Sequence, residues 1–339
     1  MNDQDLHQLL ARYPPLIQPL SPLESLRGGG GLSGARLWRF RAEQGELVLR
    51  AWPPHGPGRK HIEQVHRWLF LTANLAFVPV PIRDRSGASV QELRGTLWEV
   101  APWLAGSPDR SCPPLADHLR LAFAALAAFH QRLAPERVDC LSAGLGLRHQ
   151  HVRQLVDGGF TLLETAVDRQ NVPDLSLREA AIAWLSLARK VAPRLLKPLG
   201  QASRQLVLVQ PIIRDARPEH FLFDGDRLSG LVDFGAMGVD SVASDLARLI
   251  GEWLAGDPDA RREALASYER IRPLDPAEIG LIADFEAGTA LLIGERWLRW
   301  HYLENRRFDD PSAVSSGLER GLKQLNRLVR QQDQLGHTF

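Results

Sequence analysis

Few features constrain a fold as tightly as a strand-rich island set among helices, and residues 205–235 are such an island: QLVLVQPIIRDARPEHFLFDGDRLSGLVDFG. An apolar strand (Phe221–Phe223), a glycine-containing turn (Asp224-Gly225-Asp226) and a second strand (Leu228–Val232) read as a β-hairpin. A hairpin sets its two ends side by side. Asp215, ahead of the first strand, and Asp233, just after the second, are therefore expected to face one cleft although 18 residues separate them.

The rest of the chain sorts into a β-rich beginning and a helical remainder. Residues 1–24 read as a lead-in helix broken by Pro14 and Pro15. A strand, a glycine turn (Gly28–Gly31), a strand over Ala35–Arg41, a turn at Gln44-Gly45 and a strand ending at Arg50 follow. Lys60–Asn74 carries Ile62, Val65, Leu69 and Ala73 at helical spacing. Residues 78–87 and 91–106 are two further candidate strands. Beyond about residue 105 the pattern is helical, with runs expected over 115–134, 146–168, 176–196, 258–271, 276–303 and 311–333. The expected class is α+β, with a small mainly-β region over 1–103 and a large helical region over 104–339, joined near Trp103–Gly106.

Charge and composition narrow the function. The 339 residues carry 41 basic and 40 acidic side chains, a net +1 that offers no global field for nucleic acid or an anionic membrane. Two cysteines, Cys112 and Cys140, argue against a disulfide framework or a cysteine-rich zinc site. MNDQDLHQLL has no basic stretch leading into an apolar core, and the longest apolar run, Leu121–Phe129, is far short of the roughly 20 residues that span a bilayer. A soluble, cytoplasmic protein is expected.

Paired carboxylates at such a hairpin suit phosphoryl transfer. One orients or deprotonates an attacking hydroxyl, and the other holds the metal that bridges nucleotide phosphates. Arg217, two residues past Asp215, could offset charge on the transferred group.

On these residues the chain resembles the protein-kinase-like superfamily, in which Arg-Asp, two residues, Pro, Glu and a metal-binding residue precede a strand pair and Asp-Phe-Gly. It looks most like the aminoglycoside phosphotransferase and choline kinase branch, over roughly residues 20–330. The resemblance implies a two-lobed fold, a small mainly-β N-lobe and a large helical C-lobe, with ATP and Mg2+ in the cleft and a small-molecule hydroxyl as acceptor. It implies Asp215 and Arg217 as catalytic residues and Asp233 with His220 as metal ligands. Gly28–Gly34, including Gly29, Gly30, Gly31 and Ser33, stands where the phosphate-covering loop belongs, and Arg50 where a cation grips the phosphates. Glu63 on the next helix is the implied partner of Arg50, with Glu46 and Glu99 as alternative buried acids. Leu97–Leu104, with Glu99 and Val100, fits the hinge that meets adenine. His130 falls in the helix of AAFHQRL as a structural residue, and Asp245 is the implied brace of the catalytic loop.

Two positions depart from the branch. Ile213-Arg214 replaces the His-Gly that precedes the catalytic Asp, and His220 replaces Asn. Asn suits a hard magnesium ion, whereas imidazole suits softer ions, so manganese becomes an alternative. The same substitutions motivate a second reading, a nucleotide-binding module with impaired catalysis. A protein-substrate kinase is disfavoured, since no Ala-Pro-Glu segment follows Asp-Phe-Gly before a helix begins near Ser244. Glu252, Glu295 and Asp284 are candidates for an acidic acceptor lining, and Trp297, Trp300 and Tyr302 for either pocket or core. His66 reads as a packing residue, and His118, His149 and His151 as surface residues.

Overall fold

Short turns and alternating burial build the beginning of the chain, and apolar helical stripes build the rest. A computed structural model describes residues 3–26, 34–111, 113–169, 175–254, 256–308, 310 and 312–334. In chain order its elements are α1 (Asp3–Leu10), β1 (Glu24–Leu26), β2 (Arg36–Ala42), β3 (Gly45–Ala51), α2 (Arg59–Leu71), β4 (Gln91–Leu93), β5 (Thr96–Pro102), β6 (Ser107–Pro108), α3 (Ala116–Leu133), β7 (Val138–Leu141), α4 (Ala143–Gln154), α5 (Phe160–Arg169) and α6 (Leu175–Ala202). Then come β8 (Leu206–Ile212), β9 (Phe221–Asp224), β10 (Arg227–Leu231), β11 (Gly238–Asp240), α7 (Ala243–Trp253), α8 (Pro258–Glu269), α9 (Pro276–Leu298) and α10 (Ala313–Gln334). The chain packs as two units: Met1–Arg110 with Leu115–Leu133 and Pro218–Met237, and Ser111–Pro114 with Ala134–Arg217 and Gly238–Phe339.

The first unit holds a five-stranded antiparallel sheet in the order β1-β2-β3-β5-β4. Its β4–β5 hairpin turns on Arg94-Gly95, both at positive φ (51° and 72°), the geometry that matches the twist of the flanking strands. Leu47, Leu49 and Ala51 alternate inward on β3 and join Phe40, Trp98 and Val100 in one core. Leu6, Leu9 and Leu10 of α1, with Tyr13, close that core. The expected lead-in helix is therefore short: it ends at Leu10, ahead of Pro14 and Pro15, and the chain enters the sheet at β1. The strand expected over 78–87 does not form. Pro79 and Pro81 have no N–H to give a ladder, and Ile82 links to the sheet by donating to Val100 O at 2.8 Å. The expected hairpin of the island is present as β9–β10, which β6 extends to a three-stranded sheet.

In the second unit β8 is flanked by β11 and β7, two strands that local patterning did not announce. β7 is exposed along its whole length, and β11 has three residues, so both are set by the edges of β8. The helix expected over 146–168 is divided into α4 and α5 by a π turn in which Gly158 takes φ 139°. α6 runs on through Pro193 and Pro198 to Ala202, its last turns held by buried Leu195, Leu199 and Gly200. A capping box between Asp275 and Glu278, with Pro276 at the first helical position, starts α9. Among the described residues no helix is long and apolar enough to cross a membrane.

Candidate active site

In the second unit β8 delivers the chain into Ile213-Arg214-Asp215. The Ile213 N–H donates to Asp245 Oδ2 at 2.7 Å, and Asp245 is fully buried in the first turn of α7. A buried carboxylate at a helix N-terminus that accepts a backbone N–H is well suited to pin a loop. Arg214 has φ 66°, a left-handed conformation that costs a side-chain-bearing residue about 1–2 kcal/mol. Room for it comes from Gly238, where a Cβ would stand 2.8 Å from Arg214 Cδ. The backbone here thus has the form that glycine favours, which explains what the Ile213-Arg214 departure must accommodate.

Asp215 emerges from that turn with a side chain 38% exposed, 3.4 Å from Arg248 Nη2. Arg248 also meets Glu252 Oε1 at 3.0 Å, and Glu252 Oε2 lies 3.4 Å from Arg217 Nε. Arg217, expected beside a phosphate, is held against Glu252. Glu252, expected as an acidic lining, is engaged by two arginines.

The first unit holds the remaining residues of interest. Phe221 and Leu231 are opposed at the open end of the β9–β10 ladder, and the Val232 N–H donates to His220 O at 2.9 Å. This brings together two of the residues singled out above, His220 Nε2 and Asp233 Oδ2, at 3.6 Å, beyond hydrogen-bond length. His220 is buried and its Nδ1 has no hydrogen-bond partner among the described residues, whereas the Asp233 side chain is 52% exposed and its backbone has φ 66°. Phe234 stacks on Phe129 with centroids 5.3 Å apart. Gly235 lies so close to Trp52 that a Cβ would stand 3.1 Å from the ring, and its carbonyl accepts from His61 Nε2 at 3.2 Å.

Arg50, on β3, faces Glu99 of β5 in the ladder. Its Nη1 lies 3.5 Å from Glu99 Oε1, and its guanidinium stacks 5.1 Å from the Trp52 centroid. Glu99 is the buried acid left open by the sequence: it accepts from Trp52 Nε1 at 3.0 Å and from His66 Nε2 at 2.8 Å, while His66 Nδ1 meets Ser89 Oγ at 2.8 Å. Burial opposes ionisation of Glu99, but the His66 hydrogen bond, the Arg50 charge and the Trp52 donor together hold its carboxyl below the usual range. Glu63 does not meet Arg50. It faces solvent one turn along α2 and pairs with Arg59 at 3.4 Å, because the buried stripe Ile62, Val65, His66 and Leu69 lies on the other face. His66 is therefore a polar hub in a position that read as packing; its spacing of four from Ile62 and three from Leu69 was the available signal. Val100 is fully buried, and its carbonyl accepts from the Ile82 N–H of the segment beside the sheet. Gly29, Gly30, Gly31 and Ser33 lie outside the described residues.

Other assignments are simpler. His130 is fully buried, as a structural residue should be. His118 is not a surface residue: it is buried, stacks on Phe223 at 3.9 Å, and bridges Asp109 Oδ2 (3.0 Å) and Gly225 O (3.1 Å). Trp297 and Tyr302 are core residues, and Trp300 is half-buried.

A family model described as the phosphotransferase enzyme family matches residues 26–279. A homoserine kinase of Parvibaculum lavamentivorans is 28% identical over 219 residues, 63% of this chain and 61% of that protein. One from Methylobacterium radiotolerans is 29% identical over 232 residues, 65% and 63% of the two chains. The chain thus spans about three-fifths of the length of these relatives. Among solved structures, an aminoglycoside phosphotransferase of Alicyclobacillus acidocaldarius matches with a TM-score of 0.63 at 15% identity, over 97% of this chain and 96% of that one. A microcompartment-associated aminopropanol kinase matches at 0.61 and 17% identity, over 98% of both. These likenesses show the fold, an α+β protein-kinase-like one with a sheet-rich N-terminal region and a helical C-terminal region.

Proposed function

The chain belongs to the phosphotransferase enzyme family, and from that premise we propose that it is an ATP-dependent kinase of small-molecule hydroxyls. Homoserine and short amino alcohols are the acceptors that the names of its relatives and structural neighbours suggest. The observation that carries the reading is the presentation of Asp215: a half-buried carboxylate that reaches solvent from a loop pinned by the buried Asp245, steadied by Arg248. Such a carboxylate can orient the acceptor hydroxyl and take its proton as the oxygen bonds to the γ-phosphorus and the bond to ADP breaks.

Other residues supply position and charge. Arg50, held between Glu99 and the Trp52 ring, is suited to grip nucleotide phosphates, and the Gly29–Ser33 loop to cover them. Arg217 offsets the charge that develops on transfer. The donor set at Asp233 fits a divalent cation: magnesium commonly takes one or two carboxylates together with substrate phosphates. His220 Nε2, 3.6 Å from Asp233 Oδ2, is the imidazole nitrogen that could join it, a donor better suited to manganese than to magnesium. When bound, the cation would neutralise phosphate charge in the transition state. Asp215→Asn is expected to lower kcat by about 10²–10⁴-fold while ATP binding, followed by thermal shift, persists. Full activity in that variant refutes the role of Asp215.

A further inference from the structure

Trp52, the residue that follows β3, meets three different groups of the first unit at three parts of its ring. Its Nε1 donates to Glu99 Oε2 at 3.0 Å, and the Arg50 guanidinium lies over the ring, 5.1 Å from the centroid. The outer edge of the indole, Cη2 and Cζ3, lies against Gly235, where a Cβ would stand 3.1 and 3.2 Å from those two atoms. The ring has little freedom to move. Trp52 packs with Ile62, Val90 and Leu97, and its backbone N–H donates to Leu97 O at 2.9 Å.

The segment it meets needs support. Asp233 holds φ 66°, and a residue with a side chain keeps such a backbone only where its surroundings fix it. Two contacts hold the residues that follow: Phe234 stacks on Phe129 at 5.3 Å, and the Gly235 carbonyl accepts from His61 Nε2 at 3.2 Å. Trp52 differs from both, because the ring that meets Gly235 also carries Arg50 on its face. Gly235 does not take a left-handed φ, so the nearness of the indole, and not the backbone, is what calls for glycine there. A close-packed interior compresses little, so a push on one edge of a pinned ring is passed to the group on its face.

Resting on the phosphotransferase reading above, we propose that Trp52 is a positioning residue whose indole sets the spacing between Arg50, which grips the nucleotide phosphates, and the Asp233–Gly235 segment, which carries the cation. It acts through its neighbours, Arg50 on one side and Gly235 on the other, and takes no part in bond making. A change of volume at Gly235 is therefore felt at Arg50 by way of the ring.

ATP binding, measured by isothermal titration calorimetry in EDTA and in saturating Mg2+, tests this on the wild type, Gly235→Ala, Trp52→Phe and the double variant. Binding in EDTA reads the Arg50 side, and the gain on adding Mg2+ reads the Asp233 side. Phenylalanine lacks the outer ring atoms that a Cβ at residue 235 would meet. Gly235→Ala is expected to raise the Kd for ATP in EDTA about fivefold in the wild-type background but less than about twofold in the Trp52→Phe background. Trp52→Phe alone should raise the Kd in EDTA and reduce the gain from Mg2+, each by about threefold or more. The assignment is overturned if Gly235→Ala leaves the Kd in EDTA unchanged, if its effect is equal in both backgrounds, or if Trp52→Phe alters only one of the two quantities. Trp52→Phe removes atoms without adding any, and it decides the matter if Gly235→Ala does not fold. Absence of ATP binding by the wild type in both conditions would instead overturn the phosphotransferase reading beneath it.

Discussion

Glu99→Gln separates the network around Arg50 from the pairing that helix position alone suggests. Glu99 accepts from His66 (2.8 Å) and Trp52 (3.0 Å) and faces Arg50 at 3.5 Å. Glutamine keeps the shape but one oxygen becomes an NH2, so a donor now faces a donor and Arg50 loses its counter-charge. Removing one member of a buried charge pair costs about 3–5 kcal/mol. Arg50 remains 24% exposed and its contact is long, so the lower end, about 3 kcal/mol, applies. At roughly 2–4 °C per kcal/mol, the melting temperature falls by about 6–12 °C.

The pH dependence has a definite sign. The folded-state carboxyl titrates below its ordinary value of 4.5, so its stabilisation is full above that pH and is lost as pH falls through the lower folded value. The gap between wild type and variant should therefore be constant near neutrality and close in acid. KM for ATP should rise while KM for the acceptor does not, since Arg50 is proposed to act on the nucleotide. Glu63→Gln is the control: its pair with Arg59 is exposed and is worth less than about 1 kcal/mol. Differential scanning calorimetry from pH 3 to 8 and steady-state kinetics read both variants. A melting temperature for Glu99→Gln within about 1 °C of wild type, or an equal loss in Glu63→Gln, refutes the assignment of Glu99 as the residue that holds Arg50.

Two further outcomes follow from single groups. His220→Asn replaces an imidazole with an amide carbonyl and should raise the ratio of magnesium- to manganese-supported turnover severalfold, with ATP-dependent thermal shifts in each metal as the second readout; an unchanged ratio removes His220 from the metal's surroundings. Burial raises the Asp284 carboxyl to about 6, so wild-type stability should decline relative to Asp284→Asn as pH rises from about 4 through 6. Parallel melting curves for the two proteins across that range would show that the carboxyl is not desolvated.

Much of the site's local architecture was legible in the sequence because it depends on neighbours along the chain. The Asp224-Gly225-Asp226 turn closes the β9–β10 hairpin, and the hairpin alone brings His220 beside Asp233. The breaks at Pro14 and Pro15 follow from backbone chemistry in the same way. Where two local rules competed, the reading failed. Residues 78–82 carry Val78, Val80 and Ile82, yet Pro79 and Pro81 withhold the donors a strand needs. Conversely, α6 passes through two prolines because the buried face beyond them outweighs the lost backbone bonds.

The division into a β-rich beginning and a helical remainder, the hairpin, the family motif around Asp215 and Asp233, and the near-neutral charge were all determined by the sequence by itself, since each is written within a few residues, in a change of pattern or in a simple count. Tertiary structure alone decided that Arg50 is held by Glu99 rather than Glu63, that His66 is a polar hub, and that Glu252 and Glu295 are neutralised. The physical reason is the same in each case. Which charges meet depends on strand register and on the face a helix buries, and residues such as Trp52, His66 and Glu99 are brought to hydrogen-bond distance only when sheet and helix share one core.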